Sequence, residues 1–337
     1  MFGLDIGNNS IKAVQLEKRG DSYSLVAAGI AGSTGNGIMG TDNDLKLVGE
    51  AVKKLINDTK IPSKEVNVSI PEAQAFTRLI KLPYLSDEEV ASAISWQAEP
   101  YIPIPIQEAS LSHVILERHE PKAQDPGGVD VLLVASPKSL IQRYLKVAEI
   151  AGLNVVNIET ELIAMSRSLT PMGATAVIVD MGALTTDIAI VKNKQVIVSR
   201  SITTAGATLT RAISTALAVS PEQAESYKKT YGLDGSQLEG KVKETLAPVF
   251  NVIIEEIKKS MQYYKSEIKR DEPVTLAFVA GGGSGLPGIV PYLTENLGIE
   301  VGIGDPFLNI SRDPVLAQTL SSYGPLYSVA VGLAQNI

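Results

Sequence analysis

Aspartate, glycine and a hydroxyl residue recur at one spacing in two distant stretches of the chain, a set suited to gripping phosphate oxygens and a divalent cation. Asp5-Ile6-Gly7-Asn8-Asn9-Ser10-Ile11-Lys12 aligns without a gap on Asp180-Met181-Gly182-Ala183-Leu184-Thr185-Thr186-Asp187. Apolar residues flank both copies, which predicts a strand, a tight turn and a second strand each time. Glycine in such a turn permits positive φ and close backbone approach, so amide N–H groups can point at phosphate. Ser10 and Thr185 add hydroxyl donors, and Asp5 and Asp180, at strand ends, can hold Mg²⁺ directly or through water. One Asp-x-Gly turn is an ordinary hairpin; two in register favour a phosphate clamp.

Two further elements carry polar or glycine-rich chemistry. The apolar run 274–280 leads straight into Gly281-Gly282-Gly283-Ser284-Gly285-Leu286-Pro287-Gly288, and Ile289–Leu297 then reads as a helix. Backbone free of side chains can lie flat against a planar base and its ribose. Ser220-Pro221-Glu222-Gln223 is a helix start with a capping serine and a polar partner three residues on, and Gly232 is the stop. On that helix Glu225, Lys228 and Lys229 share a face at i, i+3 and i+4, which by itself reads as an exposed ion pair.

The elements that must position these residues suggest more than one lobe, because 337 residues exceed what one core usually supports. Ser86 and Glu89 form a capping box ahead of a helix with Val90 and Ile94 on its apolar stripe. Pro100, Pro103 and Pro105 then force extended backbone. Strand patterns follow at 109–117 and 129–135, and a helix is predicted over 136–151, capped by Ser136. Val242, Leu246, Val249, Phe250, Ile253, Ile257, Met261 and Tyr264 keep helical spacing, with Pro248 predicted to end or kink the pattern. The last stretch, 330–333, has the small residues of a helix packing back onto the second lobe.

Bulk properties exclude several classes. Hydrophobic residues are 45% and charged residues 20%, a globular balance, and the net charge of -7 argues against a nucleic-acid partner. Cysteine is absent, which removes disulfide and thiol chemistry, and the two histidines, His113 and His119, make a poor metal pair. No stretch has the ~18 apolar residues of a membrane span, and no signal peptide is expected from the start of the chain.

In this order the elements resemble the actin-like ATPase superfamily. Within it, the leucine-proline entry Leu82-Pro83, the acidic helix and the closing Glu99-Pro100-Tyr101-Ile102-Pro103-Ile104-Pro105 are similar to the PilM family of type IV pilus machinery. The resemblance implies an α/β, actin-like fold: two ribonuclease-H-like lobes, an inserted small α+β (SHS2-like) subdomain, a helical subdomain, and ATP with Mg²⁺ in the inter-lobe cleft. The implied layout is lobe one at 1–81 with a connecting segment at 157–172, the insertion at 82–156, and lobe two at 173–337 containing helices at 209–270. Nucleotide contacts are then expected from Asp5, Gly7, Asn8, Asn9, Ser10, Lys12, Asp180, Gly182, Ala183, Thr185, Thr186 and Asp187, and from Gly281, Gly282, Gly283, Ser284 and Leu286. As in the cell-division relative FtsA, Glu225 and Lys228 would reach ribose or adenine; the segment 155–169 resembles the first connecting helix between lobes, which implies that Glu161 orients water.

PilM relatives bind the N-terminal tail of the membrane protein PilN, which implies a groove here with Arg78, Leu82, Trp96 and Tyr101 on its walls. Trp96 and Tyr101 read either as anchors in that groove or as buried packing residues. The implied role is a cytoplasmic adaptor, recruited to the inner face of the cytoplasmic membrane, with contacts to other pilus components and scope for self-association. An FtsA-like filament, a type II secretion component and a small-molecule kinase are the alternatives. Asn8-Asn9 and Ala183-Leu184 replace the glycine- and threonine-rich loops of vigorous ATPases, so binding is expected to exceed turnover.

Overall fold

The computed structural model describes residues 1–337 except 35, 124, 267, 269–271 and 322. The chain opens with β1 (Phe2–Ile6), β2 (Ser10–Arg19), β3 (Ser22–Gly32), α1 (Asp42–Thr59) and β4 (Glu65–Ile70). An excursion follows through β5 (Phe76–Leu82), α2 (Asp87–Gln97), β6 (Ala109–His119) and β7 (Gly128–Pro137). The chain returns as α3 (Lys138–Ala151), β8 (Asn154–Thr160) and α4 (Glu161–Leu169). The second half holds β9 (Thr175–Met181), β10 (Thr186–Lys192), β11 (Gln195–Ile202), α5 (Gly206–Leu217), α6 (Pro221–Tyr231) and α7 (Lys241–Ser266). It closes with β12 (Leu276–Ala280), α8 (Ile289–Leu297), β13 (Glu300–Ile303), β14 (Ile310–Ser311), α9 (Pro314–Ser321) and α10 (Ser328–Ala334).

Among the described residues these strands form three sheets, ordered β14-β3-β2-β1-β4-β8, β11-β10-β9-β12-β13 and β5-β7-β6. The two large sheets repeat one plan. Each is an antiparallel meander whose first strand also pairs in parallel with a later strand. Alternation explains the nearly all-apolar β9 and β10. Val177, Val179, Ile188 and Ile190 enter the core under α5–α8, whereas Ile178, Ala189 and Val191 pack towards α4 and α10. With both faces covered, neither strand has a polar side.

Several boundaries differ from the sequence expectation. Strand β5 pairs with β7 and so belongs to the small sheet, not to lobe one. Helix α3 leaves the insertion: Leu140, Tyr144 and Val147 join the core of the first sheet, beside α1. Ser136 does not cap α3 but lies within β7, and Pro137 holds the cap position without a side-chain bond. Pro248 does not split α7, which runs unbroken from Lys241 to Ser266. The boundary at 270 lies outside the described residues. The end of the chain returns to lobe one, where β14 extends the first sheet and α10 packs on β1, β2 and α4. No described helix is long and apolar enough to cross a membrane.

Candidate functional site

Between the two large sheets lies a solvent-open cleft of ≈ 360 Å³. The duplicated turns line it together: Asp5, Gly7, Asn8, Asn9, Ser10 and Lys12 from one lobe, Asp180, Gly182, Ala183, Thr185 and Asp187 from the other. Both turns close with the same bond, Gly7 N–H to Ser10 O at 3.0 Å and Gly182 N–H to Thr185 O at 2.9 Å. Neither glycine adopts positive φ, contrary to the expectation. Glycine keeps the turns uncrowded instead, since a Cβ would stand 3.1 Å from Ser10 O or 3.0 Å from Thr185 O, a tight contact. Gly281 and Gly282 complete the wall, and at Gly281 (φ +73°) a Cβ would fall 2.2 Å from Asp180 Oδ1.

The two hairpins match in geometry but not in charge. Asp5 faces Lys12 across β1 and β2, and the buried pair is closed by a 2.9 Å bond from Lys12 Nζ. Burial alone would lower the Lys12 pKa, but the Asp5 charge and hydrogen bond outweigh it and raise it. At the equivalent place in lobe two, Asp180 faces Asp187. Burial first, then the charge of Asp5, pushes Asp180 up to about 6. Burial, with Asp180 and Glu72 adding repulsion against the nearby Ser201 and Thr185 hydroxyls, pushes Asp187 up to about 7. Glu161, at the start of α4, is held well above the carboxylate range by burial and then by Asp5, Asp187 and Asp180.

Oxygens of Glu161, Asp180 and Asp187 lie within 4.8 Å of one another, and Asp187 Oδ1 is buried without a well-formed hydrogen bond. Three hard oxygen donors with excess negative charge fit Mg²⁺. Asp5 is bonded to Lys12, and the carboxylates that could hold a cation together are Glu161, Asp180 and Asp187, so of the expected pair Asp5 and Asp180 only Asp180 stands in that cluster.

Acids with raised folded-state pKa values bind protons on folding, so their stabilising contribution is present at low pH. It is lost as pH rises through about 6 for Asp180 and about 7 for Asp187. A cation competes with those protons, so Mg²⁺ binding is expected to strengthen over the same window. Thermal melts between about pH 5 and about pH 8 should show a Mg²⁺-induced rise that grows with pH. A rise that stays flat across that range would exclude the cluster as the cation site.

A family model described as Type IV pilus assembly protein PilM matches residues 3–336. The chain belongs to the PilM family. Cell division protein FtsA of Streptococcus pneumoniae serotype 2 (strain D39 / NCTC 7466) is 26% identical over 369 residues, covering 95% of this chain and 78% of FtsA. A PilM–PilN type IV pilus biogenesis complex superposes with a TM-score of 0.82 at 24% identity, covering 99% of this chain and 97% of that one. MreB 5 of Spiroplasma citri bound to AMPPNP gives a TM-score of 0.55 at 15% identity, covering 98% of this chain and 93% of that one. These likenesses establish the actin-like fold for this PilM-family chain.

Other expected site residues stand away from the cleft lining. Thr186 is fully buried and its hydroxyl bonds Thr204 O at 2.7 Å. Ser284 Oγ closes its own turn on Gly281 O at 2.7 Å, and Leu286 belongs to the lobe-two core. Gly283 packs against Met181, where a Cβ would be 2.5 Å from Met181 Cβ. Glu225 and Lys228 bond each other at 2.6 Å, and Lys228 Nζ also reaches Gly206 O and Thr210 Oγ1. Gly206 N–H in turn bonds Gly182 O, so this pair buttresses the second turn from behind.

The groove residues of the PilM resemblance divide in the same way. Leu82 is inside the small-subdomain core, not on a wall. The Arg78 guanidinium sits 4.8 Å from the Tyr101 ring centroid, a cation–π pair at the surface. Trp96 is 84% exposed on α2, which settles the open choice against buried packing. Tyr144, Met165, Pro325 and Ser328 line the cleft but escaped the sequence reading. No motif marks them, because helices α3, α4 and α10, and the turn 324–327 ahead of α10, bring them in from elsewhere in the chain.

Proposed function

We propose that this PilM-family protein binds ATP with Mg²⁺ in the inter-lobe cleft and docks the N-terminal tail of a PilN-like inner-membrane protein, acting as a cytoplasmic adaptor of type IV pilus assembly. The carrying observation is the pair of equivalent turns facing one cleft above a cluster of three carboxylates. Backbone N–H groups and the Ser10 and Thr185 hydroxyls would hold phosphate oxygens, and Gly281 and Gly282 would leave room for the nucleoside. Glu161, Asp180 and Asp187 would hold Mg²⁺, which when bound neutralises triphosphate charge. The small subdomain supplies the peptide surface around Arg78 and Tyr101, and the partner would keep the protein at the inner face of the cytoplasmic membrane. The solved PilM–PilN complex, at 0.82 in TM-score over 99% of this chain, supports that partner.

Calorimetry tests both halves on the full chain. Mg²⁺–ATP and a synthetic PilN-tail peptide are each expected to bind at one site, with slow or no phosphate release. Rapid, substrate-stimulated turnover would overturn the adaptor reading. An FtsA-like filament is the second reading, favoured by the 26% identity over 95% of the chain. ATP-dependent sedimentation of the pure protein would select it.

A further inference from the structure

Three side chains with metal-binding atoms gather on the small subdomain, away from the cleft. Near the hairpin end of β6 and β7, Glu117 stands opposite Asp130, and His119 follows two residues along β6. Strand alternation puts Glu117 and His119 on one face, and the register puts Asp130 on that face as well. Ligand atoms of all three lie within 4.8 Å of one another. His119 Nε2 is already 3.3 Å from Asp130 Oδ2. His113 instead stands opposite Leu133, a residue of the core under α2, so the two histidines do not share a site.

The charge pattern asks for a cation. Like charges directly opposite across two strands repel, and Glu117 and Asp130 are such a pair. The Asp130 side chain is only 6% exposed, and its row along β7 continues as Leu132 and Val134 in an apolar core. A carboxylate in that position needs positive charge nearby. Lys81, its register partner on β5, flanks it on one side. A divalent cation among the three side chains would supply charge on the other side and turn the cross-strand repulsion into a shared attraction.

The donor set also selects the metal. An imidazole nitrogen with two carboxylates suits Zn²⁺ and similar first-row metals, whereas the all-oxygen cluster in the cleft suits Mg²⁺. Bonds of about 2.1 Å in a tetrahedral arrangement put donors about 3.4 Å apart, which the His119–Asp130 spacing already matches. Glu117 is exposed, and rotation about its side-chain bonds closes the remaining distance.

We propose that Glu117, His119 and Asp130 bind Zn²⁺ or a similar first-row divalent metal, with water completing the coordination. The metal clamps the ends of β6 and β7 together beside the loop 120–127. This site does not depend on the nucleotide reading, because it shares no residue with the cleft.

The test titrates Zn²⁺ into the full chain, with excess Mg²⁺ to fill the cleft carboxylates, by calorimetry and by thermal melts. One Zn²⁺ per chain is expected, with a rise in melting temperature. His119→Ala removes a direct ligand and is expected to weaken binding by at least about 100-fold. Glu117→Gln is expected to cost about 10-fold, and His113→Ala to bind as wild type does. Co²⁺ in place of Zn²⁺ should give a visible absorption band that His119→Ala loses. Asp130→Asn is expected to match His119→Ala. Should it fail to fold, His119→Ala decides the matter, since that ring is 42% exposed. Zn²⁺ binding that survives His119→Ala, that is lost in Asp180→Ala instead, or that is absent from the wild type overturns the proposal.

Discussion

Asp180→Ala is expected to weaken Mg²⁺–ATP binding by about 100-fold, the upper end of what losing one supporting group costs at a metal site. Asp180 belongs to the carboxylate cluster with Glu161 and Asp187 and faces Asp187 across the second hairpin. Removing it takes a cation ligand and also relieves like-charge crowding. Only the second effect acts on metal-free nucleotide, so ATP in chelator should bind Asp180→Ala at least as well as wild type. Calorimetry with Mg²⁺ and with chelator separates them. Equal affinity of variant and wild type for Mg²⁺–ATP would remove the cluster from the site. Asp5→Ala should act differently, because it strands Lys12 without its 2.9 Å partner and leaves a buried cation facing the proposed phosphate site.

Gly332→Val is expected to cost about 3 kcal/mol, the upper end for forced overpacking. The melting temperature should fall by about 6 °C at roughly 2 °C per kcal/mol for a chain this long. A Cβ at Gly332 would stand 1.9 Å from Ala164 O and 2.4 Å from Ala164 C, so helices α10 and α4 must separate. That crossing is pinned by Arg167, whose guanidinium donates to Gly332 O at 3.1 and 3.0 Å while pairing with Glu159. Ser168 Oγ adds a 2.7 Å bond to Ser328 O. Because α4 begins at Glu161, the same separation should weaken Mg²⁺–ATP binding. An unchanged melt would show that the helices do not need this contact.

The paired hairpin turns were legible in the chain because they depend on local chemistry. Asp-x-Gly with a hydroxyl residue closes a hairpin through bonds only three residues apart, and two gapless copies imply one geometry twice. The capping boxes at Ser86 and Ser220 were legible for the same reason, as each is satisfied within one helical turn. The family resemblance added what local pattern could not: two lobes, a cleft and a partner.

Other features are not decided by neighbours along the chain. The amphipathic stripe of α3 says that Leu140, Tyr144 and Val147 are buried, but not in which core, and they enter lobe one. The small residues of α10 announce close packing, yet only the fold shows that they meet α4 and β1 as well as the second lobe. Thr185 and Thr186 are adjacent and alike, but strand alternation sends one to the cleft and the other to Thr204 O. Glu72 looks like an ordinary acidic residue beside a proline until β11 and α4 close over it. Sequence determined what each segment can form, through bonds to near neighbours; tertiary structure decided what each face touches, because burial is shared among residues hundreds of positions apart.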